Sequence, residues 1–143
     1  RYRLRPSPLS EPGPLNKIAS GGELARFTLA LKVVMAEVGT VGSMIFDEVD
    51  TGIGGSTAAA VGDRLSRLAR SRQILVVTHA PQVAARADNH FIVMKSGDTD
   101  ITTTIIPLSE LHDRREEIAR MLAGAEITTE ARAAADKLLE TGS

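Results

Sequence analysis

The sequence has no cysteine, no long apolar run and no strong excess of charge of either sign. Because cysteine is absent from all 143 residues, disulfides and thiolate chemistry are excluded, which fits a reducing compartment. A formal net charge of -1 argues against a domain that binds nucleic acid through bulk positive charge. No apolar run approaches the roughly 20 residues that span a bilayer, and no signal peptide is visible. We therefore expect a cytoplasmic protein with no membrane partner.

Two larger motifs are also missing. No Gly-x-x-x-x-Gly-Lys-Ser/Thr run occurs, so the loop that cradles nucleotide phosphates in many ATPases is absent. No heptad repeat of coiled-coil length occurs either. The sequence starts at Arg1 without a methionine, and we expect a fragment or a processed piece of a longer protein. With 43% hydrophobic residues, residues 1–143 are expected to form one domain with a real core.

The central feature of the sequence is an apolar run that ends in acids. Residues 44–46 predict a strand that is buried on both faces, and Asp47, Glu48 and Asp50 follow it. At the carboxyl end of a strand, side chains of an open α/β sheet emerge into the ligand-binding crevice. Because successive side chains point opposite ways, one acid can hold a metal ion while the next faces a water molecule. That arrangement suits attack of water on a phosphate, although acids after a strand are more often a solvated turn.

A second candidate site is the run Ser20-Gly21-Gly22-Glu23 at the start of an amphipathic helix. Ser20 and Glu23 form a capping box, which alone would explain them. Two glycines in a first turn destabilise a helix, by about 1 kcal/mol each relative to alanine in a helix interior, but they let another molecule approach the backbone. The hydroxyl, the bare amides and the positive helix end together predict an anion site. The apolar stripe expected to pack on the sheet comprises Leu24, Phe27, Leu31, Val34 and Val38.

A second buried strand is predicted over residues 73–78, and it ends at His79. A histidine in that position faces the same crevice as the acids and can donate a hydrogen bond to a phosphate oxygen. A lone histidine at a strand end is more often structural. Ser56 is expected to cap the helix that connects the two strands.

The remainder of the sequence predicts a hairpin and two helices. Residues 90–95 and 101–108 are the strands of the hairpin. Residues 113–123 form a helix with Ile118 and Leu122 turned inward, and the last helix starts at Thr128 or Thr129 and ends near Glu140.

In chain order, an anion-binding helix start, an acidic strand end and a histidine strand end resemble the second half of an ABC-type ATPase head. Residues 20–23 resemble the signature motif, and residues 45–48 resemble Walker B with the catalytic glutamate. Residues 49–52 resemble the D-loop, and Thr78-His79 resembles the switch histidine. Four motifs in the family's order are far more specific than any one of them.

Longer stretches narrow the resemblance. Residues 17–24, 46–55 and 77–85 are similar to the RecN family of bacterial SMC-like DNA-repair proteins, in which two ATPase half-heads flank a coiled coil. The resemblance implies an α/β fold, the C-terminal lobe of an ABC-ATPase head, with a mainly parallel sheet flanked by helices, a β-hairpin and C-terminal helices. It also implies ATP and Mg²⁺ as ligands. The implied partners are the N-terminal lobe of the same protein, which carries the P-loop, a second head in a homodimer, and the nucleoid DNA at double-strand breaks.

The resemblance also assigns roles to single residues. Glu48 would polarise the attacking water, and His79 would contact the γ-phosphate. Asp47 would bind Mg²⁺ directly or through a water molecule. Asp50 would lie at the dimer interface and couple the two sites. The residues that would meet the ATP of a partner head are Lys17, Ser20, Gly21 and Gly22.

Two other functions remain open. A nucleotide-gated clamp that bridges DNA with little hydrolysis would use the same residues, although the intact Glu48 argues against it. A metal-dependent nuclease built on Asp47, Glu48 and Asp50 would explain neither the glycines of the helix start nor His79.

Overall fold

A computed structural model describes residues 3–4, 13–14, 21–39, 41–97, 101–124 and 126–141. In chain order its elements are β1 (Arg3–Leu4), β2 (Gly13–Pro14), α1 (Gly21–Val38), β3 (Ser43–Phe46), α2 (Gly55–Ala69), β4 (Gln73–Val76), α3 (Pro81–Ala84), β5 (Phe91–Ser96), β6 (Thr102–Pro107), α4 (Leu111–Ala123) and α5 (Thr129–Glu140). The strands form three pairs, of which β3 and β4 are parallel and the other two antiparallel. Over the stretches described, no helix is long and apolar enough to cross a bilayer.

The parallel pair and the helix that connects it form the main core. Ser43 lies opposite Gln73 and Phe46 opposite Val76, and α2 supplies the crossover that parallel strands require. Helix α2 faces this core with Leu65 and Leu68, which are 4% and 6% exposed. The buried side chains that meet in this core are Leu29, Val33, Phe46, Val49, Ala58, Leu65, Leu68 and Val83.

Helix α1 forms where expected, but the prediction of its buried face is wrong. Leu29 and Val33 are buried in the core, whereas Phe27 and Val34 of the predicted stripe are 39% and 53% exposed. Since each residue turns a helix by about 100°, the buried pair and the predicted stripe lie on opposite sides. Helix α1 is therefore apolar on two faces, and a helix that is apolar all round is typical of a buried position. The described residues cover one of the two faces.

The sheet shows the same one-sided burial, which contradicts the prediction that residues 44–46 are covered on both faces. Phe46 is buried, but Ile45 is 73% exposed. Its register partner Leu75 is also exposed, and so is Val77 two positions further along. These three apolar side chains belong to the sheet face opposite the core, because side chains alternate along a strand. Parallel sheets usually have both faces covered.

Local boundaries differ from the predictions at a few points. Gly54, not Ser56, is the N-cap of α2, and it makes no side-chain cap bond. Strand β4 ends at Val76 rather than at residue 78. Leu122 is 37% exposed rather than inward. The start of α5 was predicted at Thr128 or Thr129, and the N-cap is Thr128, whose hydroxyl accepts a hydrogen bond from the Ala131 amide at 3.1 Å.

The C-terminal helices α4 and α5 form a second core with the segment that follows β4. Ile118 is fully buried, and among the described residues the other buried members of this cluster are all alanines. They are Ala84, Ala85, Ala119, Ala131 and Ala135. Ion pairs flank the contact, and the hydrogen bond from Arg132 to Glu116 at 2.8 Å lowers the pKa of that carboxyl.

Arg86 links the two cores. Its Nε donates to Asp63 Oδ1 of α2 at 2.6 Å, and its Nη1 donates to the Leu138 carbonyl of α5 at 2.7 Å. The side chain of Arg86 is 11% exposed and that of Asp63 is 52% exposed, so the bond to Asp63 lies at the surface and the bond to Leu138 is partly buried. The segment after β4 is thus held from both sides.

Gly62 of α2 marks the close approach of α2 to α3. A Cβ at Gly62 would lie 3.0 Å from the Gln82 carbonyl oxygen and 3.2 Å from Val83 Cα. Alanine gains up to about 1 kcal/mol in helix propensity, whereas overpacking against backbone costs about 1–3 kcal/mol. We expect Gly62→Ala to lower the free energy of unfolding by about 1 kcal/mol in urea titrations.

Gly55→Ala is the matched control for Gly62→Ala. It lies in the same helix, and its Cβ would meet Gln82 Nε2 at 3.6 Å, an ordinary contact. We expect it to be neutral or slightly stabilising. A Gly62→Ala chain as stable as the Gly55→Ala chain would show that α3 shifts freely away from α2.

Candidate functional site

The ends of β3 and β4 bring the acids and the histidine to one edge of the sheet. The two strands are hydrogen-bonded in parallel register, and the Val77 amide extends the ladder by donating to the Phe46 carbonyl at 2.8 Å. Asp47 and Glu48 follow Phe46, and Thr78 and His79 follow Val77. Because parallel strands end at the same edge, the acidic loop and the histidine loop leave the sheet side by side.

Asp50 joins these two loops. Its Oδ1 accepts a hydrogen bond from Thr78 Oγ1 at 2.9 Å, and its Oδ2 accepts one from the His79 amide at 3.0 Å. The Thr78 hydroxyl in turn accepts from the Ala80 amide at 3.0 Å. Both bonds to the carboxylate hold the loop after β3 against the loop after β4.

Glu48 has an unusual backbone conformation. Its φ of 50° lies in the left-handed region, which is uncommon for residues other than glycine. The Glu48 carbonyl accepts a hydrogen bond from the Thr51 amide at 3.2 Å, and the Asp50 carbonyl accepts one from Ile53 at the same distance. Such a conformation costs about 1–3 kcal/mol and is often found at functional sites.

The side chains that would carry chemistry are open to solvent. Asp47, Glu48 and His79 are all exposed. Within the described ranges, no group of three or more histidine, cysteine, aspartate or glutamate side chains could hold a metal ion. One exposed carboxylate suits Mg²⁺ that arrives with a nucleotide, because Mg²⁺ is usually bound by one or two carboxylates together with substrate phosphates. Asp47 fits that requirement.

The helix-start motif is described only in part. Gly21 and Gly22 are the first two residues of α1, so the glycines do lie in the first helical turn. Lys17 and Ser20 lie outside the described residues. The capping box predicted for Ser20 and Glu23 therefore stays a prediction.

Two residues that support the site were missed by the sequence reasoning. Val49 is 5% exposed and fixes the loop between Glu48 and Asp50 to the core. Thr78 was considered only as the neighbour of His79, and its bond to Asp50 was not foreseen. A hydroxyl that follows one strand, opposite an acid that follows the adjacent strand, is the signal that could have identified the pair.

Comparison with known proteins agrees with this architecture. The chain is 50% identical over 139 residues to the DNA repair protein RecN of Xylella fastidiosa strain 9a5c, a match that covers 97% of this chain. The chain spans about a quarter of the length of that relative, 25%. No family model matches the chain.

Two solved structures show the same fold. One, from a study of ATP-driven dimerization and DNA-stimulated activation of SMC ATPases, superimposes with a TM-score of 0.63 at 19% identity and covers 82% of this chain and 70% of that chain. The other, the Smc head domain with a coiled coil and joint derived from Pyrococcus yayanosii, gives a TM-score of 0.60 at 24% identity and covers 71% of this chain and 19% of that chain. The chain therefore corresponds in sequence to the C-terminal region of RecN proteins, and it has the α/β fold of an SMC ATPase head.

Proposed function

We propose that this chain is the C-terminal lobe of an ATP-hydrolysing, SMC-like head that acts in bacterial DNA repair on nucleoid DNA. The observation that carries the proposal is the shared sheet edge, where Asp47 and Glu48 leave β3 beside His79 leaving β4. The 50% identity to a DNA repair protein supports the biological setting. The likeness to SMC ATPase heads supports the reaction class.

The proposed reaction is attack of water on the γ-phosphate of ATP. Glu48 orients the water and accepts its proton, as a general base does. His79 donates a hydrogen bond to a γ-phosphate oxygen, where negative charge must be stabilised. Asp47 holds Mg²⁺ directly or through water, and the bound ion neutralises charge on the phosphates.

A complete site requires a second lobe and a second head. The sequence contains no phosphate-cradling loop, so ATP is proposed to bind on the N-terminal lobe of the same protein. Gly21 and Gly22, at the start of α1, are proposed to meet the ATP of a partner head together with Lys17 and Ser20. Asp50 is proposed to lie near the boundary between the heads. Because these contacts exist only in the closed dimer, ATP favours closure and hydrolysis favours opening.

The uncovered apolar surfaces support an additional lobe. Ile45 and Val77 are exposed on the sheet, as are Phe27 and Leu31 on α1. Since this chain spans a quarter of its RecN relative, a segment of the remaining length is the proposed cover. Burying such side chains contributes about 1.5–3 kcal/mol each.

We expect ATP hydrolysis when this chain is mixed with the N-terminal region of a RecN protein, with a rate that rises steeply with protein concentration. The chain alone should be inactive. Ile45→Asp should abolish activity of the mixture, because it places a charge on the sheet face that the N-terminal lobe covers. Leu111→Asp, at an equally exposed position of α4 (68% against 73%), is the control that should leave the activity intact.

The outcomes distinguish the proposed functions. Equal activity from this chain alone would contradict the two-lobe site. ATP-driven dimerisation without turnover would favour the nucleotide-gated clamp that bridges DNA. DNA cleavage that needs Mg²⁺ but not ATP would favour a nuclease.

A further inference from the structure

We propose that Asp50 is a positioning residue that acts within its own lobe and holds the His79 backbone at the reacting edge of the sheet. The inference rests on the proposed function, because it concerns the geometry of that same site. It assigns Asp50 a task distinct from a contact between two heads.

The bonds to Asp50 begin where the sheet ladder ends. The last ladder bond runs from the Val77 amide to the Phe46 carbonyl at 2.8 Å. Beyond it, Thr78 donates through its hydroxyl to Asp50 Oδ1, and His79 donates through its amide to Asp50 Oδ2. One carboxylate thus binds two consecutive residues, one oxygen to each. Beyond Val77, the Asp50 side chain thus supplies the acceptors that connect the two segments.

The Thr78 hydroxyl is fixed by two partners. It donates to Asp50 at 2.9 Å and accepts from the Ala80 amide at 3.0 Å. A hydroxyl that donates and accepts at once cannot rotate without losing a bond. Asp50, Thr78 and the amides of His79 and Ala80 therefore form one connected network.

Asp50 is itself firmly supported. Val49, directly before it, is 5% exposed and packs in the main core. The Asp50 carbonyl accepts from the Ile53 amide at 3.2 Å. Asp50 is only two residues from Glu48, so the same loop carries the proposed base and the anchor for the proposed phosphate contact.

The chemical consequence is a fixed relation between Glu48 and His79. Hydrogen bonds to a carboxylate are roughly twice as strong as neutral ones. A small misplacement of a group that touches a reacting phosphate lowers a rate severely. Loss of the Asp50 bonds should therefore lower turnover through His79, with little effect on ATP affinity.

The test is a double-mutant cycle in the mixture of this chain with the N-terminal region of a RecN protein. Asp50→Asn keeps the size of the side chain but replaces one acceptor with a donor. We expect it to lower kcat about tenfold or more, with KM within about twofold. In the His79→Ala background, Asp50→Asn should have almost no further effect, because residues that act through one another are not additive.

Two variants of Thr78 test the network independently. Thr78→Val removes the hydroxyl at constant shape and should lower kcat in the same direction. Thr78→Ser retains the hydroxyl and should restore kcat. Asp113→Asn, an exposed acid in the first turn of α4, is the control for loss of a carboxylate elsewhere.

Hydrogen–deuterium exchange of residues 77–82 gives a readout that does not depend on turnover. Faster exchange in Asp50→Asn, with unchanged exchange in α5, supports the inference. Unchanged exchange, or additive effects of Asp50→Asn and His79→Ala on kcat, overturns it. Loss of ATP-driven dimerisation with normal turnover per dimer also overturns it and makes Asp50 an interface residue. A wild-type mixture without ATP turnover overturns the proposed function instead, and the exchange data then report on the Asp50 link alone.

Discussion

Replacing Glu48 with glutamine should reduce ATP turnover by about 10²–10⁴-fold, the usual contribution of a general base, in the mixture with the N-terminal region of a RecN protein. Glutamine has the size of glutamate and still accepts a hydrogen bond from water, but it cannot take up the proton. ATP binding and ATP-driven dimerisation should be retained, because the amide adds no bulk to an exposed position. Turnover by phosphate release and dimerisation by light scattering would measure the two properties separately.

The backbone at Glu48 makes the substitution a sharp test. Glu48 has a strained backbone conformation, with φ at 50°, and glutamine can adopt it equally well. The free energy of folding should therefore be the same in the wild-type and Glu48→Gln chains. Glu110→Gln removes an exposed carboxylate of the same kind at the start of α4 and should leave turnover unchanged. Retained turnover in Glu48→Gln would refute the role of Glu48 as the base and would favour another residue at the sheet edge.

The placement of the candidate residues side by side was predictable because they follow strand ends. A short apolar run followed by acids predicts the end of a buried strand, and the register of β3 and β4 then brings Asp47, Glu48 and His79 to one edge. The prediction required only strand order and polarity. It did not require knowledge of any side-chain contact, and for that reason the bond between Asp50 and Thr78 was missed.

The buried face of α1 was not predictable from this chain alone. Apolar residues lie on both sides of the helix, and spacing by itself favours the longer stripe that contains Phe27 and Leu31. In the structure the core contains Leu29 and Val33 instead. Periodicity shows which side chains avoid water, but it does not show which neighbour covers them. The same reasoning applies to Ile45. Its apolar side chain predicted a buried position, but the described residues leave it exposed.

Helix caps were predicted with mixed success for a related reason. Thr128 follows the usual rule and accepts a hydrogen bond from Ala131. At α2 the helix begins two residues earlier than the serine suggests, with Gly54 in an extended conformation at the cap. The Gly54 carbonyl accepts from the Ala58 amide at 2.8 Å, so backbone geometry starts this helix without a polar side chain.

Replacing Ile118 with alanine should destabilise the protein by about 2–5 kcal/mol, the range for removing a large buried aliphatic side chain. Ile118 is fully buried, and the buried side chains of its cluster are otherwise alanines, which are too short to fill a cavity. Met121, Ile127, Leu138 and Leu139 pack against the cluster from its partly exposed side. Leu122→Ala, one turn later in the same helix and 37% exposed, should cost no more than about 1 kcal/mol. Urea titrations of the two variants would measure the difference.

We expect the effect of Ile118→Ala to reach the candidate site through the segment after β4. Ala84 and Ala85 share the cluster of Ile118, and they lie a few residues after His79. Arg86 holds the same segment to α2 and α5, so loosening α4 should free it on one side only. We therefore expect faster hydrogen exchange at residues 81–87 in Ile118→Ala under native conditions, with little change in β3. Equal costs for Ile118→Ala and Leu122→Ala would show that the cluster tolerates the cavity. Unchanged exchange at residues 81–87 would show that the C-terminal helices do not support the segment after β4.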